Sequence, residues 1–391
     1  MSDDLLAAAH AALPITILTG FLGSGKTTLL NHLLHQPLLK DCAVLINEFG
    51  EVAIDHLLVR HLSEEVVLLD SGCLCCTVRG DLVTALGDLF LKRVKGEIPE
   101  FQRVLIETTG LADPAPILHT LMSDPLIGAR YRLDGVVCTI DAVNGSKTLD
   151  RSRESVKQAA MADRLLLTKQ DLADPIAVEV LRARLAELNP AASLLTVSHG
   201  KVDPEAILDC GLFTGKDRIP DVARWLNDEA VANASGHQGA CDADCHDPSH
   251  HHHDHAVHHL HGARHDDNIS SFVLTFDEPL AWQPLVLAIE VLISLKGENL
   301  LRVKGIVNAE GCDRPLILHG VQHLFHDPIM LPAWPDDDRR TRIVFITRDL
   351  SQEAIQALLT RAFDVEADDP TASPERVGED GNTSLPENDL H

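Results

Sequence analysis

The chain is poor in basic residues and in aromatic residues, and it contains no long apolar run. Its 391 residues include 33 lysines and arginines against 59 aspartates and glutamates, and aromatic side chains make up 4%. The formal charge of −26 argues against non-specific binding to nucleic acid or to an anionic membrane surface. No stretch is long and apolar enough to span a bilayer, since even residues 285–293 include Glu290. We therefore expect neither nucleic acid nor a membrane as a partner.

The sequence predicts neither an export signal nor a disulfide framework. Asp3 and Asp4 stand where a signal peptide would need positive charge. The nine cysteines are odd in number and unevenly spaced, which suits a reducing compartment and metal or redox chemistry. The expected location is the cytoplasm. Apolar residues make up 45% of the chain, enough for buried cores, and the length predicts two or three domains.

The strongest functional signal is the segment GFLGSGKT at residues 20–27. It follows an apolar run and opens a helical pattern of leucines, which is the context of a phosphate-binding P-loop rather than of a chance glycine-rich turn. Backbone N–H groups and the positive helix end would hold anionic oxygens. Lys26 is expected to reach the β- and γ-phosphates, and Thr27 to ligate Mg²⁺. The predicted nucleotide-binding residues here are Gly20, Gly23, Ser24, Gly25, Lys26, Thr27 and Thr28.

Seven short apolar runs alternate with amphipathic segments in the first half of the chain. Most are apolar throughout, as strands buried on both faces of a parallel sheet are. The pattern predicts an α/β domain of P-loop NTPase type over residues 1–226, with a mostly parallel, doubly wound sheet and ligands at the carboxyl ends of its strands. The predicted strands are residues 15–19, 43–47, 66–70, 104–108, 135–141, 165–169 and 194–198.

The rest of the chain divides into a linker, a second domain and a tail. Residues 227–268 combine clustered histidines and two cysteines with few large apolar residues, so we predict a disordered metal-binding linker. Residues 269–364 show strand and helix patterns that predict a smaller α+β domain. Residues 365–391 are acidic and rich in proline, serine and glycine, and we expect them to be disordered.

Two acidic residues are predicted to complete a GTPase centre with Lys26 and Thr27. Glu107 follows the fourth strand and would hold Mg²⁺ through water, and Gly110 would meet the γ-phosphate. Asp55 lies after the second strand, where the first switch of a GTPase would lie, and it is a candidate Mg²⁺ ligand, direct or through water. These four side chains form the predicted catalytic set.

A second motif, TKQD at residues 168–171, follows the sixth strand and predicts selectivity for guanine. The Asp171 carboxylate can accept hydrogen bonds from guanine N1–H and N2–H₂ together, a pair of donors that adenine does not offer on that edge. The aliphatic part of Lys169 would lie along the base. Thr168 stands where the motif usually has asparagine, which leaves ATP as the alternative nucleotide. Residues 198–200, after the seventh strand, are expected to close over the base.

Three thiols, Cys73, Cys75 and Cys76, lie within four residues before a predicted helix. A helix start favours the thiolate, and thiolates suit Zn²⁺. Three sulfurs leave one tetrahedral position open, which predicts an exchangeable site with Glu48 or Glu51 as a fourth ligand. A redox dithiol of Cys73 and Cys76 is the competing interpretation. Four further cysteines are expected to be ordinary buried residues, namely Cys42, Cys138, Cys210 and Cys312.

The histidine run in the linker predicts weak multivalent binding of Zn²⁺, Co²⁺ or Ni²⁺. An inert soluble linker is the alternative, and a purification tag is disfavoured because tags are terminal and lack interleaved aspartate, alanine and leucine. The predicted low-affinity ligands are His250, His251, His252, His253 and His255.

Five motifs together resemble the CobW family of P-loop GTPases: residues 20–31, 47–52, 72–76, 107–114 and 168–171. The resemblance covers nearly everything except the two tails. It implies a cytoplasmic, GTP-dependent metallochaperone that inserts Zn²⁺, Co²⁺ or a related ion into a client metalloprotein or cofactor pathway, with GTP and Mg²⁺ as cofactors. Two positions differ from the family pattern: Thr168 replaces asparagine, and Ile46 stands where some relatives carry an acid.

The expected mechanism is a switch. GTP with Mg²⁺ would fix the loop after the second strand and the loop at Gly110, and hydrolysis would release both. Intrinsic turnover should be slow, because the sequence shows no evident arginine finger or water-positioning glutamine. A metal store or sensor with a structural nucleotide and a nickel-inserting GTPase are the alternatives. The client stays unidentified, and a nucleotide- or metal-dependent homo-oligomer stays open.

Overall fold

The structure, a computed structural model, describes residues 12–46, 67–70, 78–208, 210, 269–325, 328–335 and 337–367. These residues form two domains, each built around one β-sheet. The predicted linker at residues 227–268 and most of the predicted tail lie outside the described residues.

The N-terminal domain contains a seven-stranded sheet in the order β3-β2-β4-β1-β5-β6-β7. All six strand pairings are parallel, so the predicted mostly parallel sheet is confirmed. In chain order its strands and α-helices are β1 (Leu13–Gly20), α1 (Lys26–Leu34), β2 (Cys42–Ile46), β3 (Val67–Asp70), α2 (Val78–Val94), β4 (Arg103–Glu107), α3 (Ala115–Ser123), α4 (Pro125–Gly128), β5 (Tyr131–Asp141), α5 (Gly145–Arg151), α6 (Arg153–Met161), β6 (Arg164–Thr168), α7 (Pro175–Leu188), β7 (Ser193–Thr196) and α8 (Pro204–Ile207).

Alternate residues of the buried strands supply the cores on the two faces of this sheet. In β1, Ile15 and Ile17 pack with Leu82 and Leu86 of α2, whereas the next residue, Leu18, belongs to the cluster that contains the leucines of α1. Because successive side chains of a strand point to opposite faces, an uninterrupted apolar run serves both helix layers. The strand order reverses beside β1, so the loop after β1 lies where open α/β sheets bind ligands.

The C-terminal domain is an antiparallel sheet with two helices on one face. Its central order is β11-β10-β9-β13-β8, with β12 beside β10. None of the helices in the described ranges, including the apolar α9, is long and apolar enough to cross a membrane. The strands and α-helices are β8 (Ile269–Phe276), α9 (Trp282–Lys296), β9 (Leu300–Val307), β10 (Leu316–Val321), β11 (Leu324–Phe325), β12 (Ile329–Met330), β13 (Thr341–Arg348) and α10 (Gln352–Ala367).

The other face of this second sheet packs against the N-terminal domain. Leu301, Val321 and Ile346 belong to the same core cluster as Ile15 and Ile17 of β1. Strand β9 is therefore buried along its whole length, although the domain is small.

The four isolated cysteines are mostly buried, as expected. Burial raises the pKa of the Cys42, Cys138 and Cys210 thiols to about 12, so they remain neutral. Cys312 differs from the expectation because it is only half-buried.

Candidate nucleotide-binding site

The loop between β1 and α1 has the backbone of a phosphate-binding loop. Gly20, Gly23 and Gly25 all have positive φ, between 70° and 136°, which side chains other than glycine rarely adopt. The chain thereby turns sharply and starts α1 at Lys26. The Lys26 ammonium lies over this loop and donates to Gly20 O at 2.9 Å and to Phe21 O at 3.4 Å. The predicted lysine is thus held at the mouth of the loop.

The predicted Mg²⁺ ligands Thr27 and Glu107 lie side by side. The Thr27 hydroxyl donates to Glu107 Oε1 at 3.3 Å, although the two residues are 80 positions apart. Glu107 is the last residue of β4, the strand beside β1, and it is 7% exposed. A hydroxyl and a carboxylate are hard oxygen donors of the kind that Mg²⁺ prefers, so these two residues fit that ion.

The loop after β4, residues 108–114, contacts the phosphate-binding loop directly. At Gly110 a side chain is excluded, because a Cβ there would lie 2.5 Å from Leu22 N. We name residues 108–114 the Gly110 loop. The contact at Leu22 brings together the phosphate-binding loop and the Gly110 loop. Both segments were predicted from the sequence to bind phosphate.

Thr168 ties the phosphate-binding loop to the base-recognition motif. Its hydroxyl donates to Ser24 O at 2.7 Å, and Ser24 Oγ hydrogen-bonds Thr139 Oγ1 at 2.6 Å. These two hydrogen bonds therefore link β6 and β5 to the phosphate-binding loop. The replacement of asparagine by threonine is compatible with a built site.

Lys169 also contacts the phosphate-binding loop. Its ammonium donates to Gly23 O at 2.6 Å and to Asp141 Oδ2 at 2.9 Å. Burial alone would raise the pKa of Asp141, but hydrogen bonds from Lys169, Asn144 and the Val143 amide outweigh it and lower the pKa. Sequence analysis missed Asp141; its position at the carboxyl end of β5 was the available signal.

Asp171 lies at the open edge of this arrangement. Its side chain is 39% exposed, and Oδ2 lies 3.9 Å from His199 Nε2. The turn that carries it is braced by Gln170 and Arg182, which donate to the Thr196 hydroxyl at 3.2 Å and 2.6 Å. A carboxylate that is exposed on a braced turn is suited to receive the edge of a base.

The loop at residues 198–200 approaches the start of α1. A Cβ at Gly200 would lie 2.8 Å from Thr28 O, so this loop lies against the phosphate-binding segment. With His199 beside Asp171, residues 198–200 lie near the edge assigned to the base.

A cavity of about 430 Å³ borders the outer face of the phosphate-binding loop. Phe21, Leu22 and Ser24 form one side, and α5 contributes Lys147 and Arg151. These cations complement the charge of a phosphate-bearing ligand. Sequence analysis did not predict them.

The residues of the predicted transferable-metal site and of the predicted linker site lie outside the described part of the chain. Cys73, Cys75, Cys76, Glu48, Glu51 and Asp55 lie outside the described residues, as do His250, His251, His252, His253 and His255. Within the described ranges there is no group of three or more histidine, cysteine, aspartate or glutamate residues that could hold a metal ion. The metal site stays a prediction.

Comparison with known proteins covers both domains. The family model described as CobW/HypB/UreG, nucleotide-binding domain matches residues 14–196, and the cobalamin synthesis protein cobW C-terminal domain matches residues 269–363. The zinc chaperone YjiA of Escherichia coli is 34% identical over 343 residues, covering 88% of this chain and 96% of YjiA. The zinc chaperone CobW of Pseudomonas aeruginosa is 30% identical, covering 90% of this chain and 92% of that protein.

A solved structure agrees with this assignment. The Zn(II)-bound YjiA GTPase from E. coli superposes with a TM-score of 0.63 at 29% identity, covering 90% of this chain and 99% of that one. The phosphate-binding loop, the base-recognition motif and the C-terminal sheet all lie within the matched ranges. This chain therefore belongs to the CobW family of P-loop GTPases.

Proposed function

We propose that the chain is a cytoplasmic, GTP-hydrolysing metallochaperone that carries Zn²⁺, or Co²⁺ or another divalent ion, and delivers it to a client metalloprotein or cofactor-synthesis enzyme. The observation that carries the proposal is the convergence of Lys26, Thr27, Glu107, Gly110 and Lys169 at one edge of the sheet. The relatives named zinc chaperones support the choice of cargo.

In this proposal Lys26 binds the β- and γ-phosphates, and Asp171 accepts the two donors of guanine. Thr27 and Glu107, with Asp55, hold Mg²⁺, which neutralises charge that develops on the phosphates. Lys169 keeps the phosphate-binding loop and the base-recognition turn in fixed relation through its bonds to Gly23 O and Asp141.

The metal is proposed to bind Cys73, Cys75 and Cys76, with Glu48 or Glu51 as the further ligand. Strand register supports a link to the nucleotide: Asp70 at the end of β3 is level with Ile46, and Ile46 is level with Glu107. With strands about 4.8 Å apart, the segment that carries the cysteines leaves the sheet about 10 Å from the Mg²⁺ ligand Glu107. A change at the γ-phosphate thus begins close to the strand end after which the cysteine segment follows in the chain.

The test is metal affinity measured in two nucleotide states, by competition with a chromophoric chelator. We expect the GDP-bound and GTP-analogue-bound forms to differ by about 5–150-fold, the range of ordinary coupling energies. Replacing Cys75 and Cys76 by serine should lower Zn²⁺ affinity by orders of magnitude, because two soft ligands are lost. Cys312→Ser, at a half-buried cysteine of the other domain, is the matched control and should change neither value.

A second control separates the nucleotide from the metal. Lys26→Ala should abolish the difference between nucleotide states while leaving the metal site intact, because the lysine serves only phosphate in this proposal. Equal metal affinities in both states of the wild type would instead favour a metal store with a structural nucleotide. An unchanged affinity in the double serine variant would exclude the three-thiol site.

A further inference from the structure

Helix α6 packs against the Gly110 loop and forms hydrogen bonds and an ion pair with it. Gln158, which is fully buried, donates through Nε2 to Gly110 O at 3.2 Å and to Ala112 O at 2.9 Å. The adjacent Lys157 pairs with Asp113 Oδ2 at 2.5 Å. Two consecutive helical residues therefore bind three residues of the loop that faces the phosphate-binding segment.

The bonds from Gln158 serve the loop rather than the helix. Its Oε1 is buried and has no hydrogen-bond partner among the described residues. Within the described part of the chain, the hydrogen bonds of this side chain are the two that it donates to the loop. Burying an amide whose oxygen has no hydrogen bond costs free energy of folding. The two hydrogen bonds that Gln158 donates to the loop offset that cost.

Glycine explains why an external restraint is needed at this place. A side chain is excluded at Gly110 because its Cβ would lie only 2.5 Å from Leu22 N. A glycine without restraint has the largest backbone freedom of any residue, and a loop that must present its N–H to one oxygen would lose that freedom on binding. Fixing the Gly110 carbonyl from α6 removes part of this freedom before the nucleotide binds.

The far end of α6 is itself anchored. Asp163, two residues after the helix, accepts from Arg302 Nη2 and Lys304 Nζ of β9, each at 2.6 Å, and from Val136 N at 2.8 Å. The helix is thereby fixed to both domains, so it can act as a rigid support for the loop.

We propose that Gln158 is a positioning residue for GTP hydrolysis, with the Lys157–Asp113 pair as its partner: together they hold the Gly110 loop in the conformation that meets the γ-phosphate. The inference rests on the assignment of Gly110 to the γ-phosphate in the proposed function. It predicts that Gln158 matters for GTP and hardly for GDP, which has no γ-phosphate.

The experiment compares Gln158→Leu with Asn189→Leu. Asn189 is also a buried amide, its Nδ2 donates to Ala159 O, Ala160 O and Ala162 O at the end of the same helix, and its Oδ1 also lacks a partner in the described residues. Both substitutions remove a buried amide that donates to backbone carbonyls, but Gln158 donates to the Gly110 loop and Asn189 to the end of α6. Both should lower the thermal midpoint.

The readouts are the affinities for GDP and for a non-hydrolysable GTP analogue, and single-turnover hydrolysis of GTP. Gln158→Leu should weaken the analogue relative to GDP by about tenfold and slow hydrolysis by a similar factor, as the loss of two hydrogen bonds predicts. Asn189→Leu should leave the ratio of analogue to GDP affinity at the wild-type value. A merely structural role for Gln158 would make the two variants behave alike, and that result overturns the proposal.

A second pair of variants decides the matter if Gln158→Leu does not fold. Lys157 and Asp113 are partly exposed, so Lys157→Met and Asp113→Asn should both fold. Each should lower the preference for the analogue by about two- to fivefold, and the double variant should lower it no further. Additive effects, or none, contradict the proposal. Failure of the wild type to bind guanine nucleotides would instead refute the proposed function.

Discussion

The two ends of strand β6 are held by different kinds of interaction. At the carboxyl end, the Thr168 hydroxyl donates to Ser24 O, and Lys169 reaches Gly23 O and the partly exposed Asp141. At the amino end, Asp163 lies with Arg302 and Lys304, and all three side chains are at most 3% exposed. The first end adjoins a ligand site that solvent and nucleotide enter, and the second joins two domains.

At the buried end, Asp163 contacts two cations, Arg302 and Lys304. Burial alone would raise the pKa of Asp163, but the charges of Arg302 and Lys304 outweigh it and hold that pKa well below its ordinary range. Burial lowers the pKa of Lys304 to about 8, although Asp163 opposes the shift. Asp163 contacts both cations, so its loss removes two buried ionic contacts at once and should cost the most. At the nucleotide end each bond is local, and its loss should cost less.

The largest effect is expected at the domain interface. Asp163→Asn should destabilise the protein by about 3–5 kcal/mol, because it leaves Arg302 and Lys304 buried without their counter-charge. Lys304→Met, the matched variant, removes one cation, leaves the Arg302–Asp163 pair in place and should cost much less. The measurement is the free energy of unfolding in urea at pH 7. Equal losses in the two variants would show that the interface does not depend on the carboxylate.

The pH dependence of this loss follows from the lowered pKa of Asp163. Because the folded-state pKa lies below the unfolded value of about 3.9, the carboxylate contributes stability that is fully present above that value and is lost as the pH falls through the folded pKa. The difference between wild type and Asp163→Asn should therefore be constant from pH 5 to pH 7 and shrink only below about pH 4. A difference that disappears near pH 6 would contradict this sign.

An intermediate effect is expected at the base-recognition turn. Asp171→Asn should weaken GTP and GDP by about 10–150-fold, as the loss of charged hydrogen bonds of about 1.5–3 kcal/mol predicts. Xanthosine nucleotides should bind the variant better than guanosine nucleotides do, because the amide donor then meets a carbonyl. Asp174→Asn is the control: it also removes a carboxylate charge, three residues on, where the side chain only caps α7. Competition titrations with a fluorescent nucleotide measure the nucleotide affinities of the wild type, Asp171→Asn and Asp174→Asn. Equal displacement by ATP and GTP in the wild type would exclude guanine selectivity.

Sequence alone predicted the parts of the site that depend on local pattern. The seven strands, the phosphate-binding loop and the Thr27–Glu107 neighbourhood follow from apolar runs that end in polar motifs, since parallel strands deliver their carboxyl ends to one edge. The pairing of residues 80 positions apart was therefore accessible from the sequence.

The missed residues depend on contacts that no local pattern encodes. Gln158 lies in a helix of ordinary appearance, and its role appears only because α6 packs behind the Gly110 loop. Asp163 and Arg302 are 139 positions apart and lie in different domains. Arg302 and Lys304 lie in β9, which is buried along its whole length, where charged residues are not expected unless they are paired. Their partner was not predictable without the arrangement of the two domains.

The smallest effect is expected at Thr168, whose hydroxyl makes neutral hydrogen-bond contacts with Ser24 O and Ile140 O at the nucleotide end of β6. Thr168→Val keeps the shape of the side chain but removes the donor to Ser24 O, at a cost of about 0.5–1.5 kcal/mol. GTP and GDP affinities should fall together by about two- to tenfold, because the bond orients the loop that binds the phosphates common to both. Thr168→Ser keeps the hydroxyl and should bind both nucleotides nearly as well as the wild type. A loss of unfolding free energy as large as that of Asp163→Asn would mean that the nucleotide end is as interdependent as the buried ionic end. An equal loss of nucleotide affinity in Thr168→Ser and Thr168→Val would mean that the methyl group, which lies 3.6 Å from where a Cβ of Gly25 would be, matters as much as the hydroxyl, and it would contradict the role given to the hydrogen bond.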